Sequence, residues 1–144
     1  MSATAQDVST PDTAASTVKK LTPVLVVDEI ESCLPFWVER LGFAKVAEVP
    51  EGTKLGFVIL SKDGVEVMYQ TRESIEKDIP ALVPGRVSGR PITLFIEVSD
   101  IGAIERALAG VEFVMPRRRT FYGMEEVGVR EPGGNPVIFA QAVK

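Results

Sequence analysis

Leu21-Thr22-Pro23-Val24-Leu25-Val26-Val27-Asp28-Glu29-Ile30 and Ile92-Thr93-Leu94-Phe95-Ile96-Glu97-Val98-Ser99-Asp100-Ile101 stand at a constant offset of 71 residues. Each is an extended apolar run that ends in an acidic residue and leads into an amphipathic helical pattern. Toward the end of each copy a Gly-containing turn precedes a short apolar strand and a glutamine. These are Asp63-Gly64 with Val65–Gln70, and Gly133-Gly134 with Pro136–Gln141. Gln70 and Gln141 again differ by 71. A period this long exceeds solenoid repeats and reads as a duplicated half-domain.

The first copy predicts a strand over 21–27. Asp28 is placed to cap the next helix, with Glu31 three residues on as in a capping box. Ile30, Cys33, Leu34, Trp37, Val38 and Leu41 share one helical face, and Gly42 stops it. Pro35 removes an interior hydrogen bond, which predicts a bend or a late start. Strands over 44–49, 55–61 and 65–71 complete a β-α-β-β-β order. In the second copy a strand over 92–98 precedes a helix capped by Asp100, with inner face Ile101, Ile104 and Leu108 and a stop at Gly110. Strands near 111–115, 124–130 and 136–142 follow, with Arg117–Gly123 as a loop. Between the copies, 72–90 reads as a linker in which Glu73–Asp78 forms a short helix; long connections of this kind often serve a pocket or an interface.

The chain has 144 residues and a net charge of −4, with one cysteine and no histidine. That length suits one domain: a flexible tail at 1–18 and a single unit at 19–144, divided into modules 19–71 and 91–144 around the linker 72–90. The acidic balance argues against nucleic acid. Cys33 on an apolar face reads as a buried thiol, and one cysteine forms no internal disulfide. Residues 1–18 lack the basic leader and apolar stretch of a secretory signal, and no run reaches the length of a membrane span. A cytoplasmic protein is the expectation. Without histidine, Ser-His-Asp and Cys-His nucleophiles are excluded.

Phe36-Trp37-Val38-Glu39-Arg40-Leu41-Gly42-Phe43, Tyr122-Gly123-Met124 and Glu131-Pro132-Gly133-Gly134-Asn135 make the pair of modules resemble the vicinal oxygen chelate superfamily, over about residues 20–142. That group includes glyoxalase I, extradiol dioxygenases and bleomycin-resistance proteins. The resemblance implies an α+β fold in which two βαβββ modules form a curved mixed sheet around a central cavity. It also implies four inward metal positions on the first and last strands of the modules. These map to Thr22, Thr93, Glu66 and Ile138, of which Glu66 alone is a good ligand. Neighbouring carboxylates such as Glu97 or Glu126 are the remaining route to an oxygen-only site. The expectation is therefore no metal and no cofactor.

Strand alternation places Thr22, Val24 and Val26, then Thr93, Phe95 and Glu97, on the face opposite the helices. Glu66, Met68 and Gln70 share such a face, as do Ile138 and Ala140. Tyr122 and Met124, with Phe121, read as pocket walls. For Glu97 the plain expectation is an ion pair with an arginine such as Arg130. Trp37 reads as helix-packed core or dimer surface rather than a stacking platform, and Arg117-Arg118-Arg119 as a solvated loop from which one arginine could hold a ligand anion. Thr22, Val24, Glu66, Met68, Thr93, Phe95, Glu97, Tyr122, Met124 and Ile138 are the candidate ligand-binding set. Two functions fit this set. One is a metal-independent homodimer of bleomycin-resistance (antibiotic-resistance) type, binding an amphipathic or aromatic, cationic small molecule. The other is an enzyme of lyase or isomerase type with Glu66 or Glu97 as acid/base and at most a weakly held divalent metal. A dimeric interaction module with no small ligand is a third.

Overall fold

A computed structural model describes residues 16–82 and 90–143. The expected tail lies mostly outside these residues, as do Pro84, Gly85 and Gly89 of the linker. The first module contains β1 (Val24–Val27), an irregular helical segment, β2 (Ala44–Glu51), β3 (Lys54–Lys62) and β4 (Val65–Thr71). The second contains β5 (Leu94–Glu97), α3 (Ile101–Ala107), β6 (Phe113–Arg119), β7 (Met124–Arg130) and β8 (Pro136–Ala142). Between them lie α2 (Arg72–Asp78) and a short turn at Pro80–Leu82. Each module makes its own four-stranded sheet, ordered β1-β4-β3-β2 and β5-β8-β7-β6. In both, the first strand pairs parallel with the last and the remaining pairs are antiparallel. The duplication read from sequence is therefore a duplication of topology.

The helical segment, α1, departs from regular geometry where Pro35 predicts it. A 3₁₀ turn at Glu31–Cys33 gives way to a wide turn at Pro35–Arg40 that begins on the proline, whose missing N–H costs nothing at a first position. Gly42, at φ +81°, ends it in the left-handed region. The expected cap does not form. Ile30 stands at the N-cap with no side-chain bond. Asp28 instead pairs with Arg72 at 3.2 Å, and Glu31 reaches across to accept from the Leu55 amide at 2.7 Å. Leu55 lies opposite Pro50 beside a bulge in β2, where the ladder is irregular. Glu31 thus serves β3 rather than its own helix. In the second module Asp100 does cap α3, accepting from Ala103 N at 3.1 Å.

Leu25, Val58, Leu60, Val67 and Tyr69 from the first sheet form one cluster with Val127, Val129, Val137 and Phe139 from the second, joined by α1 and α3 side chains. Trp37 is fully buried there, with Phe36 and Phe43 edge-on at 5.1 and 5.0 Å. Cys33 is buried beside them, and burial with the nearby Glu131 charge pushes its thiol up to about 11. It is an inert core thiol.

A buried polar chain ties the modules together. Trp37 Nε1 donates to the Tyr69 hydroxyl at 2.8 Å, and that hydroxyl donates to Glu131 of the second module. The other Glu131 oxygen accepts from Asn135 N and Nδ2 at 2.6 and 3.1 Å, while Asn135 Oδ1 receives the Ile92 amide at 3.0 Å. Glu131 is 2% exposed. It is satisfied by three hydrogen bonds rather than by a cation, as a buried carboxylate must be. Burial and the Glu131 charge push the Tyr69 phenol well above its ordinary value.

Candidate functional site on the outer strand faces

With one face of each sheet committed to the core, the opposite faces carry the sequence-predicted site residues. Alternation is clean in β4, where Val67, Tyr69 and Thr71 are buried while Glu66, Met68 and Gln70 are partly open. Val24 and Val26 of β1 lie beside Met68 and Gln70 and remain 43% and 42% exposed. β3 adds Phe57 opposite Gln70 and Ile59 opposite Met68. Thr22, just before β1, is half-buried, and the register carried back two residues places it beside Glu66. Glu66 accepts from Lys20 Nζ at 2.9 Å. At one end of this face a cavity of about 440 Å³ is lined by Val49, Phe57 and Gln70, with Ser74, Lys77 and Asp78 of α2 as its lip. The linker helix therefore borders the face.

The second sheet repeats the arrangement with different chemistry. Phe95 lies beside Ile138, and Glu97 beside Ala140, whose other neighbour is Glu126. Phe95 is 52% exposed and Tyr122 51%. Thr93 is exposed, and Met124 and Ile138 are half-buried. Glu126 is fully buried, accepting from Arg118 Nη2 at 3.1 Å and from the Tyr122 hydroxyl at 2.5 Å. That bond raises the Tyr122 phenol above its ordinary value. In the sequence Glu126 stands out only as a carboxylate near the expected metal positions. Its burial came from a tyrosine four residues away, a spacing that a hairpin turn makes local.

Three expectations are corrected. Arg117–Arg119 belong to β6 and not to a loop, because each finds an acid: Arg117 with Glu105 and Glu125, Arg118 with Glu126, Arg119 with Glu125. None is left to grip a ligand anion. Arg130 donates to the Gly134 carbonyl rather than to Glu97, which has no ion pair among the described residues. The repeat also slips in its last strand. Val24 and Phe95 keep the offset of 71, but their partners Met68 and Ile138 differ by 70. Ile138 is therefore the counterpart of Met68, and the counterpart of Glu66 is Pro136. Gln70 and Gln141 face opposite ways: Gln70 Nε2 donates to Ser74 Oγ at 3.1 Å, and Gln141 Oε1 accepts from the Ile101 amide at 2.8 Å.

The metal positions that the resemblance implied, Thr22, Thr93, Glu66 and Ile138, therefore do not form equivalent pairs; in the row of Glu66 the second sheet offers Pro136. One carboxylate, already bonded to Lys20, with two threonines and a proline is not a donor set for a catalytic divalent ion. No group of three or more His, Cys, Asp or Glu side chains that could hold a metal occurs among the described residues. Glu66, Met68, Val24 and Thr22 are thus gathered on one sheet, and Thr93, Phe95, Glu97, Ile138, Met124 and Tyr122 on the other. Among the described residues no hydrogen bond or ion pair joins the two groups.

Comparison with known proteins agrees with this architecture. "Uncharacterized protein Rv0887c" of Mycobacterium tuberculosis is 29% identical over 143 residues, spanning 92% of this chain and 81% of that one. TioX from Micromonospora sp. ML1 superposes with a TM-score of 0.71 at 18% identity, over 88% of this chain and 100% of its own. TnmS3, an antibiotic binding protein from Streptomyces sp. CB03234, gives 0.64 at 18% identity, over 88% and 98%. These likenesses in structure establish the fold. Residues 18–139 match the model of one family, and the chain belongs to the Glyoxalase/Bleomycin resistance protein/Dioxygenase superfamily.

Proposed function

We propose that the protein binds an amphipathic or aromatic, cationic small molecule on its outer strand faces, without a metal, and that a second copy of the chain completes the site. One observation carries this reading. Each sheet turns toward solvent a face of half-exposed Val, Phe, Met and Ile side chains, among them Val24, Val26 and Phe95. Contiguous apolar surface of that kind marks a binding or association site. Glu97, which has no ion pair among the described residues, favours a cation, and aromatic side chains stack on planar ligands. The donor set argues against metal-dependent lyase or dioxygenase chemistry, and the Lys20 pairing of Glu66 argues against its use as a free base. The likeness to TnmS3 supports the binding reading.

The test is a thermal-shift titration of chelator-treated protein with ethidium as a planar aromatic cation, alongside sedimentation of the free protein. Stabilisation that Val26→Asp and Phe95→Ala abolish, in a chain that sediments as a dimer, is expected. A monomer that ethidium fails to stabilise contradicts the proposal.

A further inference from the structure

A carboxylate is buried on the ligand face of the second sheet. Glu126 has no exposed surface, although Met124 on its own strand and Ile138 on β8 are half-exposed on the same face. Both of its oxygens are used. Oε1 accepts from Arg118 Nε and Nη2 at 3.3 and 3.1 Å, and Oε2 accepts from the Tyr122 hydroxyl at 2.5 Å. Stability alone does not explain such a pair, since apolar side chains of similar volume serve as well or better. What it does accomplish is to fix the end of one tyrosine.

Tyr122 is a half-exposed residue of the β6–β7 turn, a place where a side chain ordinarily swings freely. Here three features hold it. Thr120 ties the turn: its N–H donates to the Met124 carbonyl at 2.8 Å, its Oγ1 accepts from the Met124 amide at 3.0 Å, and Gly123 closes the loop at φ +83°. Phe121 stands edge-on against the Tyr122 ring at 5.1 Å. The third feature is the bond to Glu126. Starting before Met124 and bonding Glu126 beyond it, the ring lies along the outer face. Next to Glu126 in the same row come Ala140 of β8 and Glu97 of β5. Glu97 stands two strand spacings from Glu126, roughly 10 Å, and Ala140 between them adds only a methyl group. A fixed aromatic ring and an acid without an ion pair among the described residues thus flank a floor with no large side chain.

We propose that Arg118 and Glu126 are positioning residues that hold Tyr122 as a stacking wall, and that this wall makes the outer face select a planar aromatic cation, its ring on Tyr122 and its charge toward Glu97, over an aliphatic one. Resting on the outer-face reading, this names the residues that set the ligand class. A ring fixed before the ligand arrives loses little freedom on binding, and its selectivity originates there.

Calorimetric titration of the full chain with ethidium and, separately, with tetrabutylammonium tests it. Tyr122→Ala should weaken ethidium about tenfold, the scale of one lost stacking partner, and leave tetrabutylammonium nearly unchanged. Glu126→Ala, which frees the ring, should weaken ethidium by a smaller factor. Glu126→Gln keeps an acceptor for the Tyr122 hydroxyl and should restore ethidium binding, which a direct pull of the Glu126 charge on the cation would not allow. Unaltered ethidium affinity in Tyr122→Ala or Glu126→Ala, equal weakening of both cations, or a Glu126→Gln variant as weak as Glu126→Ala would overturn this proposal alone. Failure of ethidium to bind the unaltered chain would overturn the outer-face reading together with it.

Discussion

Replacing Tyr69 by Phe removes one oxygen from the middle of the chain that runs from Trp37 to Glu131. The ring is retained, so no cavity of consequence opens. Two fully buried groups lose their partner: the Trp37 indole N–H and one oxygen of the Glu131 carboxylate. A buried group left unpaired costs about 1–3 kcal/mol, and a charged one sits at the upper end or above. The expected loss is about 3–4 kcal/mol, a large part of the roughly 5–15 kcal/mol that holds a domain together. Urea unfolding followed by the fluorescence of Trp37, the chain's one tryptophan, measures it directly, because the reporter sits at the break. The midpoint should fall with little change in slope, and the melting temperature should drop by roughly 10 °C. Glu131→Ala, which removes the acceptor for Tyr69 and Asn135 together, should cost more. A Tyr69→Phe loss below about 0.5 kcal/mol would refute the assignment of this chain as the tie between modules.

Further expectations concern caps, turns and pH. Asp100→Ala should cost about 1 kcal/mol in denaturant unfolding, as a lost helix cap does, whereas Asp28→Ala should be near neutral because Asp28 is itself exposed and its ion pair with Arg72 is screened by solvent. Equal costs would restore Asp28 as a cap. At Gly133 an added Cβ would lie 2.9 Å from Val27 Cγ1 and 3.0 Å from a Glu131 oxygen, so Gly133→Ala should destabilise by about 1–3 kcal/mol. Val27→Ala in the same chain should recover part of it. Stability should also fall at alkaline pH. The folded state holds the Cys33 proton to about 11 against an ordinary 9.0, and the Tyr69 proton beyond its ordinary 10.0. Both groups therefore contribute fully below pH 9 and lose that contribution as pH rises, first through 9 to 11 for Cys33. Cys33→Ala should flatten that first part of the decline; an unchanged profile would argue against a buried, protonated thiol.

The architecture was legible because hydrophobic alternation and the 71-residue repeat constrain strands strongly. β3, β4, β7 and β8 fall within a residue or so of their expected bounds. Which face each strand shows was readable for the same reason: one residue of slip turns every side chain over. That sensitivity also explains the main error. The offset is 71 between β1 and β5, 69 where Gly128 of β7 stands for Ile59 of β3, and 70 in the last strand, so Glu66 and Ile138 lie in rows that do not correspond. Local charge was harder to read. Asp28 and Glu31 fit a capping box in sequence, yet tertiary partners, Arg72 and the Leu55 amide, take both carboxylates. Arg117–Arg119 looked like loop residues because their acids lie on another strand and on α3. The Glu131 tie was not foreseen: a turn motif shows that a Glu and an Asn are near one another, but not that a tyrosine 62 positions earlier completes the site.

The central claim is that the outer strand faces bind a cationic aromatic ligand without metal. Calorimetric titration of chelator-treated protein with ethidium, repeated on Phe95→Ala, tests it most directly. Saturable heat with the unaltered chain and its loss in the variant is the predicted result. Absence of heat from chelator-treated protein, with binding restored only on adding a divalent ion, would contradict it.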